Sequence, residues 1–229
     1  MSLCITGISS MATRAVLAEL TAEYSRRSGV DVRIESVGGV DAAKRVAAGE
    51  PFDVVLLASD AIDRLIASGH AASDSKVDLV HSGVAIATKA GAPQPDIGTE
   101  PALRSAVLAA QSIGYSTGPS GVQLLRLFDR WGISAQLAGR LVQAQAGVPV
   151  GALVARGEVE LGFQQLSELI NLDGITVLGP MPPAVQIDTT FCAARCKTSA
   201  QADAVRDLLQ FLTSAEAAPA KLRHGMTPA

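Results

Sequence analysis

Short apolar runs alternate along this chain with segments whose apolar positions recur every three or four residues, the pattern of strands followed by helices. Residues 3–7 read as a first strand, Ile8, Ser9 and Ser10 as the turn out of it, and the next segment as a helix with Val16, Leu17, Leu20 and Tyr24 on one side. Residues 32–36 alternate as a second strand. Gly38, Gly39, Val40 and Asp41 then lead into a helix through Lys44, Arg45 and Val46 that stops near Gly49. Residues 52–57 form an apolar run of the kind buried in a parallel sheet, and Ser59 or Asp60 is the expected cap of a helix carrying Ile62, Leu65 and Ile66. Three such units in succession predict an α/β fold, an open sheet with helices on both faces, whose ligands sit beyond the carboxyl ends of the strands.

Residues 77–89 form a longer strand-like stretch that reads as a crossover into a second lobe. A loop and helix follow over 96–110, then a strand, loop and helix over 113–130, a strand over 141–144 and a helix through Leu153 and Val154. Strands are expected over 159–163 and 175–178, and 185–195 alternates again as the return crossover. Two helices close the chain, 199–212 with Ala204, Leu208 and Phe211 inward, and 214–222. The expected architecture is two doubly wound lobes, 1–80 plus 190–229 and 81–189, joined by a two-stranded hinge with a ligand cleft between them.

The stretch 113–130 carries the most chemistry. Leu124, Leu127, Phe128 and Trp131 fall on one helix face, and Ser120 is a suitable N-cap. A helix start leaves N–H groups unpaired and adds about half a positive charge, so it attracts anions. Small residues at Ser116, Thr117, Gly118 and Gly121 let a ligand reach the backbone, and hydroxyls add donors without charge. An ordinary capped turn looks the same. The argument for a ligand is repetition, because the three turns of the first lobe are also rich in Ser, Gly and Asp.

Composition narrows the ligand classes. With 229 residues, 48% hydrophobic, the chain buries a full core, and a net charge of −3 without a Lys/Arg cluster argues against a nucleic-acid surface. Aromatics at 3% argue against a stacking platform. Cys4, Cys192 and Cys196 form no CxxC pair, and on one strand the last two lie about 13 Å apart at roughly 3.3 Å per residue, too far for a disulfide. His70, His81 and His224 are scattered, so no zinc site, metal or cofactor is expected. No run approaches the ~18 apolar residues of a membrane span. The compartment stays open: periplasmic if an export signal has been removed, cytoplasmic otherwise.

With these segments in order, the chain resembles the periplasmic solute-binding proteins of ABC importers, of the molybdate-binding type. The resemblance runs over nearly the whole length. It rests on the Ser9-Ser10 turn, the run from Ala48 through Gly49, Glu50, Pro51, Phe52 and Asp53 to Val54, the Ser-Gly loop at 116–121, the run Val150-Gly151-Ala152-Leu153, and Gly162-Phe163-Gln164-Gln165. It implies an oxyanion held by hydroxyls and backbone N–H groups, with no basic side chain required, and an ABC permease as partner. Carried over by position, the ligand residues are Ser9 or Ser10, Gly39, Val40 and Ser59 in the first lobe. In the second they are Thr117, Ser120 or Gly121, the backbone near Val148, Gln164 and Gln165. The chain departs from the family's pattern at Gly38-Gly39-Val40, where a serine is usual, at Gln165, where a tyrosine is usual, and at Pro149, which has no N–H to donate. An unmatched buried donor or acceptor costs about 1–3 kcal/mol, enough to alter ligand choice. The implied ligand is therefore a small anion, either a molybdate- or tungstate-like oxyanion or a small organic acid.

The resemblance also extends to isomerases that move a proton on a tricarboxylate such as aconitate. That chemistry needs a base, and Asp41, Asp60 and His81 lie near the expected turns. Each also has a plain structural reading, the aspartates as helix caps and the histidine as a hinge or surface residue, and no catalytic residue is assigned. Ser120 lacks the glycine spacing of a nucleophile elbow. Arg126 and Arg130 lie well past the first turn of their helix, where solvated arginines are ordinary.

Overall fold

A computed structural model describes residues 3–229, which form two compact α/β units. Unit 1 takes the chain through His81 and resumes with Thr190–Ala229; unit 2 is Ser82–Thr189. Unit 1 begins β1 (Cys4–Ser10), α1 (Arg14–Ser28), β2 (Asp31–Val37), α2 (Gly39–Ala47), β3 (Val54–Ala58), α3 (Ser59–Ala67), and the first part of β4 (Val77–Lys89). Both β2 and β3 run parallel to β1, placing Ser10 opposite Val37 and Ser9 opposite Leu56. Every residue of β3 is buried, because helices cover both faces of the sheet. Ile5, Leu17, Leu56 and Leu208 belong to the cluster on one face, and Ile8, Val46, Leu57 and Ile62 to that on the other.

The parallel register brings Ser10, Val37 and Ala58 to one edge, where α2 and α3 start at once and α1 follows a short 3-10 turn at Met11–Thr13. Here the structure corrects two expectations. The first strand runs on through Ile8, Ser9 and Ser10, since fully buried Ile8 is claimed by the core and Ser9 pairs in register with Ser36. Neither Ser59 nor Asp60 caps α3; Ala58 holds that position, with no side-chain cap bond. Gly49, with φ of 81°, follows α2 as expected of a left-handed stop.

Unit 2 continues with α4 (Glu100–Ala109), β5 (Ile113–Tyr115), α5 (Pro119–Arg130), β6 (Leu141–Gln143), α6 (Val150–Arg156), β7 (Leu161–Gln165), α7 (Leu166–Leu169) and β8 (Ile175–Pro180). β5 pairs in parallel with β6 and β7, while β7 and β8 run antiparallel to β4. The apolar face of α5 packs as its periodicity requires, with Leu124, Leu127 and Phe128 buried and Trp131 against the same cluster. Ser120 is not the N-cap: Gly118 is, and Pro119 takes the first helical position, where its missing N–H costs nothing.

β9 (Asp188–Arg195) returns the chain to unit 1, where it runs antiparallel to β3, and α8 (Ala202–Thr213) and α9 (Ala218–Arg223) follow. A short β10 (Thr227–Pro228) pairs with Val80 and His81 of β4, a strand too brief to show periodicity in sequence. Lys221 of α9, 2% exposed, donates from Nζ to Leu79 O at 2.9 Å, and burial lowers its pKa. Between that lowered value and the ordinary 10.5 the unfolded chain binds more protons than the folded one, so stability rises with pH through this window. Lys221→Met keeps the apolar stem and removes the buried charge. It is expected to raise the melting temperature by about 2–4 °C near pH 7, with the gain shrinking toward pH 10.5 in melts followed across that range.

Candidate functional site

At the carboxyl edge of unit 1, Ser9 and Ser10 point to opposite faces of β1 and meet different fates. Ser9 is wholly buried, its Oγ 2.8 Å from Ser36 Oγ and 3.3 Å from Ser10 O. Ser10 is 7% exposed, yet its Oγ has no hydrogen-bond partner among the described residues. It sits against the start of α2, where a Cβ added to Gly39 would lie 3.5 Å from Ser10 Cβ. The N–H groups of Gly39, Val40 and Asp41 have no intrahelical acceptor; Ala42 N–H is the first to reach back, to Gly38 O at 2.9 Å. An unpaired hydroxyl and unpaired amides are thus gathered at a helix start of positive potential, an arrangement that receives an anion.

Ser59 opens α3 on the same edge, but its Oγ accepts from Lys76 Nζ at 2.9 Å. Lys76 also holds Asp63 at 2.6 Å, a contact that raises its pKa. A cation therefore stands at a turn where sequence reasoning expected none. Lys76 lies seventeen residues beyond Ser59 in a loop, with no motif linking the two. The three cysteines are free; Cys192 Sγ lies 2.9 Å from Asp78 Oδ1, and burial pushes its thiol up to about 11 and that of Cys196 up to about 12. Both remain protonated packing residues at neutral pH. Among the described residues no group of three or more His, Cys, Asp or Glu could hold a metal ion.

The carboxyl edge of unit 2 spends several of its candidates internally. Val148 N–H donates to Gln145 O at 3.0 Å, so that amide closes its own turn and is not free for a ligand. Gln164 accepts from Gly151 N–H at 3.3 Å and donates to Glu168 Oε1 at 2.8 Å. With its amide oriented to satisfy its neighbours, Gln165 donates to Ser82 O at 2.9 Å and accepts from Thr189 Oγ1 at 2.9 Å. Gln164 thus braces α6, and Gln165 ties together the strands by which the chain enters and leaves unit 2. Sequence position alone could not separate these roles from ligand contact.

What stays open is the turn into α5. Ser120 is 7% exposed, its Oγ 3.1 Å from Ser116 Oγ and without an imidazole partner, while Thr117 is exposed. Gly121 is small for the chain's own sake: an added Cβ would lie 1.9 Å from Ser116 O, so the loop, not a ligand, fills that space. Of the expected bases, Asp41 is exposed, Asp60 is exposed and held by Arg64 at 2.8 Å, and exposed His81 has Nδ1 3.0 Å from Thr190 Oγ1. Neither aspartate makes a capping bond. Arg126 and Arg130 are exposed. Glu168, which the sequence did not single out, is partly buried in α7, and burial pushes its carboxyl up to about 7. An open groove of about 810 Å³ along β2, past Arg14, Arg33 and Glu35, includes none of the candidate ligand residues.

Parallel-cored sheets whose carboxyl edges carry hydroxyls and helix starts define the solute-binding fold of the periplasmic type. The chain belongs to the bacterial extracellular solute-binding protein family, whose model matches residues 5–227. In fold it is similar to the periplasmic molybdate-binding protein of Azotobacter vinelandii (18% identity, TM-score 0.81, 98% of this chain and 99% of that one). It is likewise similar to the sulfate-binding protein SubI of Mycobacterium tuberculosis (17% identity, TM-score 0.81, 99% and 87%). In sequence it is 41% identical over 232 residues to an aconitate isomerase from a Pseudomonas species, covering 98% of this chain and 87% of that protein. Among the described residues no helix is long and apolar enough to cross a membrane.

Proposed function

We propose that this protein binds a small polycarboxylate anion and shifts a proton on it, as an isomerase of the aconitate type. The observation that carries the reading is 41% identity, over 98% of the chain, to a protein of that activity. The solved oxyanion binders share the fold at 17–18% identity and do not choose the ligand. The chemistry of the turns supports an organic acid. In unit 1 Ser10 Oγ and the amides of Gly39 and Val40, and in unit 2 the Ser116–Ser120 turn, each offer donors of the kind that carboxylate oxygens accept. Proton NMR in heavy water tests the reading: cis-aconitate is expected to convert to the trans isomer and to gain deuterium in the presence of the protein. A protein that leaves aconitate unconverted and unlabelled is not such an isomerase.

A second reading, delivery of an anion to an ABC permease in the periplasm, is favoured by the family match over residues 5–227. Calorimetric titration separates the two. Tight molybdate, tungstate or sulfate binding without aconitate turnover favours transport. Under either reading Ser10→Ala removes the hydroxyl that lacks a partner. It is expected to weaken anion binding about tenfold, the equivalent of about 1.4 kcal/mol, and to leave the melting temperature of the ligand-free protein unchanged or slightly higher.

A further inference from the structure

A proton shift on carbon needs a group that accepts a proton near neutral pH and stands where it can reach the substrate. Asp41, Asp60 and His81 are exposed, and two of them are engaged elsewhere, Asp60 by Arg64 and His81 by Thr190. Glu168 lies in α7, which starts directly after β7 at the carboxyl edge of unit 2, the same edge at which β5 opens into the Ser116–Ser120 turn. Its Oε1 accepts from Gln164 Nε2 at 2.8 Å. The amide cannot turn over, because Gln164 Oε1 is already held by Gly151 N–H at 3.3 Å, which leaves Nε2 as the face shown to the carboxylate. Among the described residues none donates to Oε2, and the residue is partly exposed. One oxygen is anchored and the other is free of such a bond. The next residue back, Ser167, is 8% exposed with an unpartnered Oγ.

No charge opposes this use. β7 and β8 carry no charged residue, Arg156 of α6 is paired with Glu158, and Lys89 at the end of β4 does not contribute to the acidity of Glu168, which burial and Gln164 alone account for. We propose that Glu168 is the group that removes and returns the proton, with Gln164 as the residue that positions it; this rests on the isomerase reading. Oε2 takes a proton from the methylene carbon of the bound acid. The C–H bond breaks, and its electron pair conjugates through the neighbouring double bond into a carboxylate. The acid exchanges its proton with solvent, and Oε2 returns a solvent-derived proton to the far carbon of the allylic system. The double bond moves, no other reactant is consumed, and Glu168 ends as the carboxylate it began as.

The test uses the full chain, cis-aconitate and NMR in heavy water, with calorimetry alongside. Glu168→Gln is expected to slow exchange and isomerisation by about 10²–10⁴-fold, while the Kd for cis-aconitate stays within a few-fold of the parent. The parent's kcat/KM is expected to rise with pH through about 7 and then level, as the carboxylate forms. Glu168→Asp, which withdraws the acid by one methylene, is expected to keep that limb at a lower plateau, and it decides the matter should the glutamine variant fail to fold. A glutamine variant within tenfold of the parent, or a parent rate flat across pH 7, overturns the role of Glu168 alone. A parent that binds cis-aconitate without exchanging or isomerising it overturns the isomerase reading and this inference with it.

Discussion

Gly121→Ala is expected to abolish measurable anion binding and to lower stability by about 1–3 kcal/mol, the usual cost of overpacking. The added methyl would stand 1.9 Å from Ser116 O, 3.0 Å from its carbonyl carbon and 3.2 Å from the Tyr115 ring. The first obstacle is backbone and cannot rotate away, so the loop must lift by more than an ångström. Lifting it separates Ser116 Oγ from Ser120 Oγ and moves the donors at the start of α5. Precise placement of donors is what binding depends on, so the loss exceeds what one misplaced methyl would suggest. Gly118→Ala is the matched control: its φ of −79° suits any residue and its added Cβ would meet only Ser116 Oγ at 3.8 Å. Calorimetry with cis-aconitate and thermal melts on both variants check the pair. A Gly121→Ala protein that binds like the parent would remove the α5 turn from the site.

The same glycine shows what sequence can and cannot say here. The small residues of 116–121 were legible as a turn that needs close approach, but not whether ligand or loop makes that approach. The hydrophobic framework was legible in its larger elements: β3 as an apolar run, α5 by its Leu124, Leu127 and Phe128 stripe, β4 over its whole length. Burial enforces those patterns residue by residue. The site was legible only in part, because it depends on which hydroxyl is left over. Ser9 and Ser10 are equivalent in sequence, and only the register of β1 with β2 gives Ser9 a partner in Ser36 and leaves Ser10 without one. The resemblance places Gln164 and Gln165 at the ligand, but their amides are satisfied by Gly151, Glu168, Ser82 and Thr189, neighbours set by tertiary packing. Glu168 and Lys76 escaped notice for the same reason: acidity shifted by burial and a cation delivered across a loop leave no spacing to read.

The run 48–54, which supports the family resemblance, acts through the scaffold. Arg45 grips Glu50 and Glu35 and lies 5.2 Å over the Phe52 ring, while Asp53, 7% exposed, gathers four donors. Oδ2 accepts from Thr6 N–H at 2.9 Å, Thr6 Oγ1 at 3.0 Å and Gln201 Nε2 at 3.2 Å; Oδ1 accepts from Ser199 Oγ at 2.6 Å. These bonds join β1, β3 and the approach to α8. Asp53→Ala would leave all four donors without their acceptor at one buried point, and is expected to cost about 3–5 kcal/mol, the range for breaking a buried charged network. Asp53→Asn is expected to cost less than half as much. Its oxygen can keep the three donors of Oδ2, and its NH₂ can donate to Ser199 Oγ, a hydroxyl able to accept. Urea unfolding checks the order, with the midpoint falling from parent to Asn to Ala at constant slope. Equal losses for the two variants would mean that the negative charge itself, and not the geometry of its acceptors, holds β1 and β3 in the register that leaves Ser10 unpaired.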